Sequence, residues 1–178
     1  APVPLPHGKK SPVPSGRTGY DGRNMTRNEI ETAPWSGNIG LRMPPDVIGI
    51  DIDNYDGKRG KEIIADLETR LGPLPPAPML HSGRDDGSGI RFFRVPVGTM
   101  LTDSIEGGVE FIQWFHRYAI APPSVHPDGR AYGCLDDVGD HAEYLPPVED
   151  LPELPWAWIE HLAVLQKGKR AERPATGV

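Results

Sequence analysis

The chain has one cysteine, Cys134, in 178 residues. An internal disulfide and a cysteine-rich zinc site are therefore excluded, and the composition is compatible with a reducing cytosol. No apolar run is long enough for a membrane span or a signal peptide. Positive charge is in short supply: 19 Lys and Arg face 25 Asp and Glu, for a formal net charge of -6. A general phosphate-coating surface is excluded, so any nucleic-acid contact must use a local basic patch. The Gly-Lys-Ser/Thr ending of a P-loop is missing. So is the Gly-x-Ser-x-Gly elbow of a hydrolase, and Ser124 follows a Pro-Pro pair rather than a strand-to-helix turn, which disfavours a Ser-His-Asp enzyme. The first residue is Ala1 rather than Met, which reads as a trimmed or excised piece.

What is abundant is Gly 21 and Pro 21, beside a hydrophobic content of 37%. The length suffices for one domain with a real core, rich in turns and long loops. Residues 1–19, with Lys9-Lys10-Ser11-Pro12, read as a basic, loop-like arm, either a loose terminus or a strap over an anionic ligand. Thr26-x-x-Glu29 is a capping box that starts a short helix before Pro34. Strands are expected near 38–41, 47–53, 79–82, 90–95 and 108–114, the last paired in a hairpin with 117–121. Ile63, Ile64, Leu67 and Leu71 stripe a helix over 58–71, closed by Gly72-Pro73. A terminal helix is expected over 155–165, inside a domain of residues 1–166, with 167–178 as a linker. The expected class is α+β: a mixed, mainly antiparallel sheet with flanking helices.

The chain is organised around Val47-Ile48-Gly49-Ile50-Asp51-Ile52-Asp53. Period-two alternation puts the three isoleucines on one face and Asp51 and Asp53 on the other, roughly 6–7 Å apart at Cα. The stretch reads either as a strand running out into an acidic turn or as two oxygen ligands for Mg²⁺ or Mn²⁺. Glu110 lies inside another apolar strand, where a carboxylate must be paired, metal-bound or at an edge. The loop Ser82-Gly83-Arg84-Asp85-Asp86-Gly87-Ser88-Gly89, followed by Arg91, offers amides and guanidinium groups of the kind that hold phosphate. Further donors are His116, Arg117, Ser124 and His126, each of which also reads as an ordinary surface residue.

In this order the residues resemble a known family. Asp51-Ile52-Asp53 follows an isoleucine strand. A Ser/Gly loop runs into Ile90-Arg91-Phe92-Phe93. Glu110 precedes Arg117-Tyr118-Ala119-Ile120-Ala121-Pro122-Pro123-Ser124-Val125-His126-Pro127-Asp128-Gly129. Together with Gly8-Lys9-Lys10-Ser11-Pro12, they are similar to the bifunctional DNA primase/polymerase domain of the archaeo-eukaryotic primase superfamily, of phage and plasmid replication proteins. The resemblance implies an RRM-like catalytic sheet and two-metal nucleotidyl transfer with Mg²⁺ or Mn²⁺. It implies Asp51, Asp53 and Glu110 as metal ligands, and Ser88 and Arg91, at the family's second motif, as holders of the incoming triphosphate; Lys10, Ser82, Arg84, His116, Arg117, Ser124 and His126 are further candidates for it. The implied partners are single-stranded DNA template, NTP or dNTP, and a helicase part of the full-length protein, in the cytoplasm of the host cell. Two departures stand out. The family's second motif usually ends in histidine, and Arg91 is taken as the matching position. The third motif commonly carries aspartate, and here it is Glu110.

Three functions follow as expectations: a template-directed primase or polymerase, a catalytically weakened module that only binds nucleotide or nucleic acid, and a metal-dependent nuclease. The arginines beside the glycine loop favour a triphosphate ligand over the nuclease. With a net charge of -6, template affinity of the isolated domain should fall steeply between 50 and 200 mM salt, by about 10³-fold or more if six phosphates are contacted. Fluorescence anisotropy on labelled single-stranded DNA measures this, and nanomolar, salt-insensitive binding contradicts it.

Overall fold

The computed structural model describes residues 1–172, with side chains through Lys167. The chain runs β1 (Pro2–Leu5), α1 (Arg27–Thr32), β2 (Asn38–Leu41), β3 (Val47–Ile52), α2 (Gly60–Leu71), β4 (Met79–His81) and β5 (Gly89–Arg94). It continues through β6 (Ser104–Ile105), β7 (Val109–Ile112), β8 (Ala119–Ala121), β9 (Gly133–Leu135), β10 (His141–Ala142), a 3-10 turn at Val148–Asp150, and α3 (Trp156–Glu172). The class is α+β, as expected. Every ladder between named strands is antiparallel. No helix among the described residues is long and apolar enough to cross a membrane.

The strands form two sheets. The larger has the order β10-β9-β4-β5-β3-β7-β6, and the smaller is β1-β2-β8. The isoleucine strand β3 is central, between β5 and β7. Its alternation is used on both faces. Ile48, Ile50 and Ile52 pack on Ile64 and Leu67 of α2 and on Trp158 and Leu162 of α3. Val47 joins Leu80, Phe92, Ile112, Ala119 and Ala121 on the opposite side, under the smaller sheet. Each fully buried aliphatic side chain stabilises the fold by about 1.5–3 kcal/mol. Asp51 is the one residue of β3 that is not fully buried.

Several expectations need correction. The arm of residues 1–19 is not loop throughout. Pro2–Leu5 pair with β2, burying Val3 and Leu5. Prolines at every second position disguise the strand, yet an edge strand tolerates them because the missing N–H groups face away from the ladder. The hairpin between 108–114 and 117–121 begins and stops. Gln113 and His116 exchange backbone hydrogen bonds at 2.9 Å. Arg117 then takes a left-handed φ of 63°, and Ala119–Ala121 pair with β2 instead. Their three side chains are all buried, and Ala119 and Ala121 pack on Leu80, Phe92 and Ile112 of the larger sheet. The terminal helix runs past Leu165 to Glu172, so the expected linker begins as helix, and 173–178 lie outside the described residues. The expected loop over 97–107 holds the two-residue strand β6.

The turn after β3 is locked by close backbone contacts. The Asp53 amide donates to the Gly108 carbonyl at 2.8 Å, and the Gly60 amide donates to the Asp53 carbonyl at 2.9 Å. Gly108 sits at φ 123°, and a Cβ there would lie 2.7 Å from the Asp53 carbonyl oxygen. Gly108→Ala is expected to destabilise the fold by roughly 2–3 kcal/mol. Urea unfolding measures it, and an unchanged midpoint would show that this contact does not hold the turn.

Candidate functional site

The β3 register builds the site. Asp51 pairs across the ladder with Ile90 of β5 on one side and Glu110 of β7 on the other. Directly opposed residues of antiparallel strands share a face, so Asp51 and Glu110 stand side by side. Asp53 follows on the same face, just past the strand. Leu80 pairs with both Ile90 and Cys134. One row across the sheet is therefore apolar from β9 to β5 and acidic at β3 and β7. Gly49 completes the floor. A Cβ there would meet Ile90 Cγ2 at 2.7 Å, so only glycine leaves room beside Asp51.

Over this row, between the two sheets, lies a cavity of about 250 Å³. Its floor includes Asp51, Leu80, Ile90 and Ile112, and Tyr118 and Ile120 face it from the smaller sheet. Of the sequence candidates, Asp51, Asp53, Lys10, Ser82, Arg84, Ser88, Arg117 and His126 line it. Glu110 stands at its edge through Arg117, whose Nε donates to Oε2 at 3.0 Å. Three candidates are not brought in. Arg91 pairs with Ile50, so it projects to the helix side of the sheet, opposite Asp51. The residue of β5 paired with Asp51 is Ile90, and a one-residue step along a strand reverses the face. His116 lies in the β7–β8 turn, away from the cavity wall. Ser124 is buried, and its hydroxyl accepts from the Ile39 amide at 2.8 Å, tying the loop after β8 to β2.

The charges are coupled. Burial first, then the Asp53 and Glu110 carboxylates, push Asp51 up to about 7. The Asp51 carboxylate makes no hydrogen bond or ion pair among the described residues. Asp53 and Glu110 are each held by a cation instead: Lys58 Nζ lies 2.5 Å from Asp53 Oδ2, and Arg117 grips Glu110. Among the described residues no group of three or more His, Cys, Asp or Glu converges as a metal-holding set, and two of the three carboxylates are engaged by these cations. The donor chemistry, three hard oxygen ligands whose mutual repulsion Lys58 and Arg117 offset only in part, fits a divalent ion such as Mg²⁺ or Mn²⁺.

The surrounding donors are braced. The Ser88 hydroxyl accepts from the Asn54 amide at 2.9 Å, and the Ser88 amide donates to Asp86. Asn54 Nδ2 is buried without a partner. The Arg84 guanidinium stacks 3.9 Å over the Tyr55 ring. His126 Nδ1 is 2.7 Å from Asp128, itself gripped by Arg130, and that grip holds the Asp128 carboxyl well below the usual range. Burial pushes the Tyr132 hydroxyl up to about 12, so it stays protonated as a donor. Lys10 is delivered by the arm. Asn38 Nδ2 donates to the Lys9 and Val125 carbonyls, and the Tyr118 hydroxyl donates to the Lys10 carbonyl.

Sequence reasoning missed Asn38, Lys58, Tyr55, Tyr118 and Tyr132. Tyr55 and Lys58 had a signal, lying two and five residues past Asp53 in the same turn. Asn38 lies in the strand expected over 38–41, in a stretch that also resembles the family, but its bonding role has no local signal, because its partners are 29 and 87 residues away.

Because Asp51 is easier to protonate in the fold than in the unfolded chain, its ionisation destabilises the fold as pH rises from about 4 to about 7, and no further above that. Asp51→Asn in metal-free buffer is expected to be more stable than wild type by on the order of 1–3 kcal/mol at pH 7.5. The difference should shrink toward pH 4. Thermal denaturation at both pH values measures it, and a less stable variant at pH 7.5 contradicts it.

A family model of the bifunctional DNA primase/polymerase N-terminal domain matches residues 1–156. Neither a curated protein nor a solved structure matches the chain. The family's role is primase/polymerase nucleotidyl transfer on DNA and nucleotide substrates, generally dependent on a divalent metal. With most of its length matched, and with the paired strands and cleft described above, this chain belongs to the bifunctional DNA primase/polymerase N-terminal domain family.

Proposed function

We infer that the chain is a catalytic domain that joins nucleotides on a single-stranded DNA template, with the inter-sheet cavity as the site of the incoming triphosphate. The observation that carries this is the register of β3 and β7, which opposes Glu110 to Asp51 at the mouth of a cavity ringed by Lys10, Arg84, Ser88, Arg117 and His126. Asp51, Asp53 and Glu110 would hold the metal. When bound, divalent ions would supply a lowered pKa at the attacking hydroxyl and neutralise the leaving diphosphate.

The chain's own residues have distinct tasks in this reading. Arg84, Lys10 and His126, which line the cavity, bind phosphate oxygens. Leu80, Ile90, Ile112 and Ile120 exclude water and accept the apolar faces of base and sugar. The Tyr118 hydroxyl fixes the arm that carries Lys10. By family resemblance, the setting is phage or plasmid replication in the host cytoplasm, with a helicase part in the same protein.

One observation favours the weakened, binding-only module. Ile90, which cannot titrate or donate, occupies the position beside Asp51. Extension of a labelled primer, and dinucleotide synthesis on single-stranded template, separate the readings. With Mg²⁺ or Mn²⁺ present, wild type is expected to make product, and Asp51→Ala with Asp53→Ala to lose it by about 10³-fold. Arg91→Ala should stay within about threefold of wild type. Nucleotide binding without product under either metal leaves the binding module standing, and degradation of labelled DNA without nucleotide leaves the nuclease.

A further inference from the structure

The two carboxylates flanking Asp51 are each matched by one cation, and the backbone holds one of those cations in place. Arg117 meets Glu110 with two nitrogens, Nε at 3.0 Å and Nη2 at 3.4 Å. It does so from a left-handed φ of 63°, a conformation that an arginine rarely adopts and that the surrounding turn must enforce. Lys58 Nζ meets Asp53 at 2.5 Å, and the Gly107-Gly108 turn binds the Arg59 amide, which holds the start of α2 in place. The Arg117 side chain is 56% exposed and lines the cavity, so it reaches both the carboxylate and the space beside it.

Exposed ion pairs are weak and readily replaced by stronger partners. A divalent ion among three carboxylates is such a partner, and so is a triphosphate for a guanidinium fork.

We propose that Arg117 and Lys58 are exchange cations. In the metal-free protein they neutralise Glu110 and Asp53. On loading they release these carboxylates, and Arg117 turns to the nucleotide's phosphates. This rests on the metal-dependent reading above. It makes Arg117 a competitor of the metal in the free protein and a ligand of the nucleotide in the loaded one. A purely structural arginine would not oppose one ligand and favour the other.

The experiment measures Mn²⁺ alone by electron paramagnetic resonance titration. It then measures a non-hydrolysable nucleoside triphosphate at saturating Mn²⁺ by calorimetry. Arg117→Ala should bind Mn²⁺ about three- to tenfold more tightly than wild type and the nucleotide about tenfold more weakly. Lys58→Ala should also tighten Mn²⁺. It provides a second variant, outside the strained turn, should Arg117→Ala fold poorly. Arg84→Ala removes a cavity cation that touches neither carboxylate, and should leave Mn²⁺ binding within twofold. The exchange is overturned if Arg117→Ala and Lys58→Ala leave Mn²⁺ binding unchanged or weaken it, or if Arg84→Ala tightens it equally. A wild-type protein that binds no Mn²⁺ in either arm overturns the metal reading itself, and the exchange with it.

Discussion

Repulsion between carboxylates on one face of a sheet is the constraint to which the site answers. The register of β3 against β7 sets Glu110 beside Asp51, and the pleat adds Asp53. Nothing apolar can relieve such a cluster, and full solvation is denied by the sheet above it. The chain offsets it with Lys58 and Arg117 and, among the described residues, leaves the Asp51 carboxylate with no direct partner. The rest of the architecture serves this arrangement. Three isoleucines anchor β3 into the helix layer, so the strand cannot slide to separate the charges. Gly49, Gly60 and Gly108 let neighbouring backbone and side chains close in around it.

Much of the fold was legible because it is local or periodic. The alternation in Val47–Ile52 gave a strand and both of its faces. The capping box at Thr26 and Glu29 forms as written. The stripe ending at Leu71, with glycine after it, gave α2 to within two residues of its start. What escaped was pairing between distant segments. Composition leaves Pro2–Leu5 open between a loose terminus and a strap, because its burial depends on β2, more than thirty residues on. The strand at 119–121 was assigned to its neighbour in sequence, although its partner lies in another sheet.

The same division holds at the site. Asp51 and Asp53 stand where alternation puts them, and Glu110 was distinguished by being a lone carboxylate in an apolar strand. Arg91 is one position on from the residue paired with Asp51, which in a strand means the other face. Ser124 was singled out for its chemistry, and its hydroxyl turned out to hold backbone. Polar residues near a site divide between those that face the ligand and those that hold the wall, and sequence alone does not separate the two.

The contact of Asn38 with Lys9 and Val125 has a practical side. Segments near the start, in the second strand and after the eighth are fastened by one side-chain amide. Trimming the first ten residues to make a smaller protein would strip β1 from β2. It would bare the row of unpaired amides and carbonyls along Asn38–Leu41, an open edge of the kind that recruits other chains. What reads in the sequence as a proline-rich arm is what covers the edge of the smaller sheet.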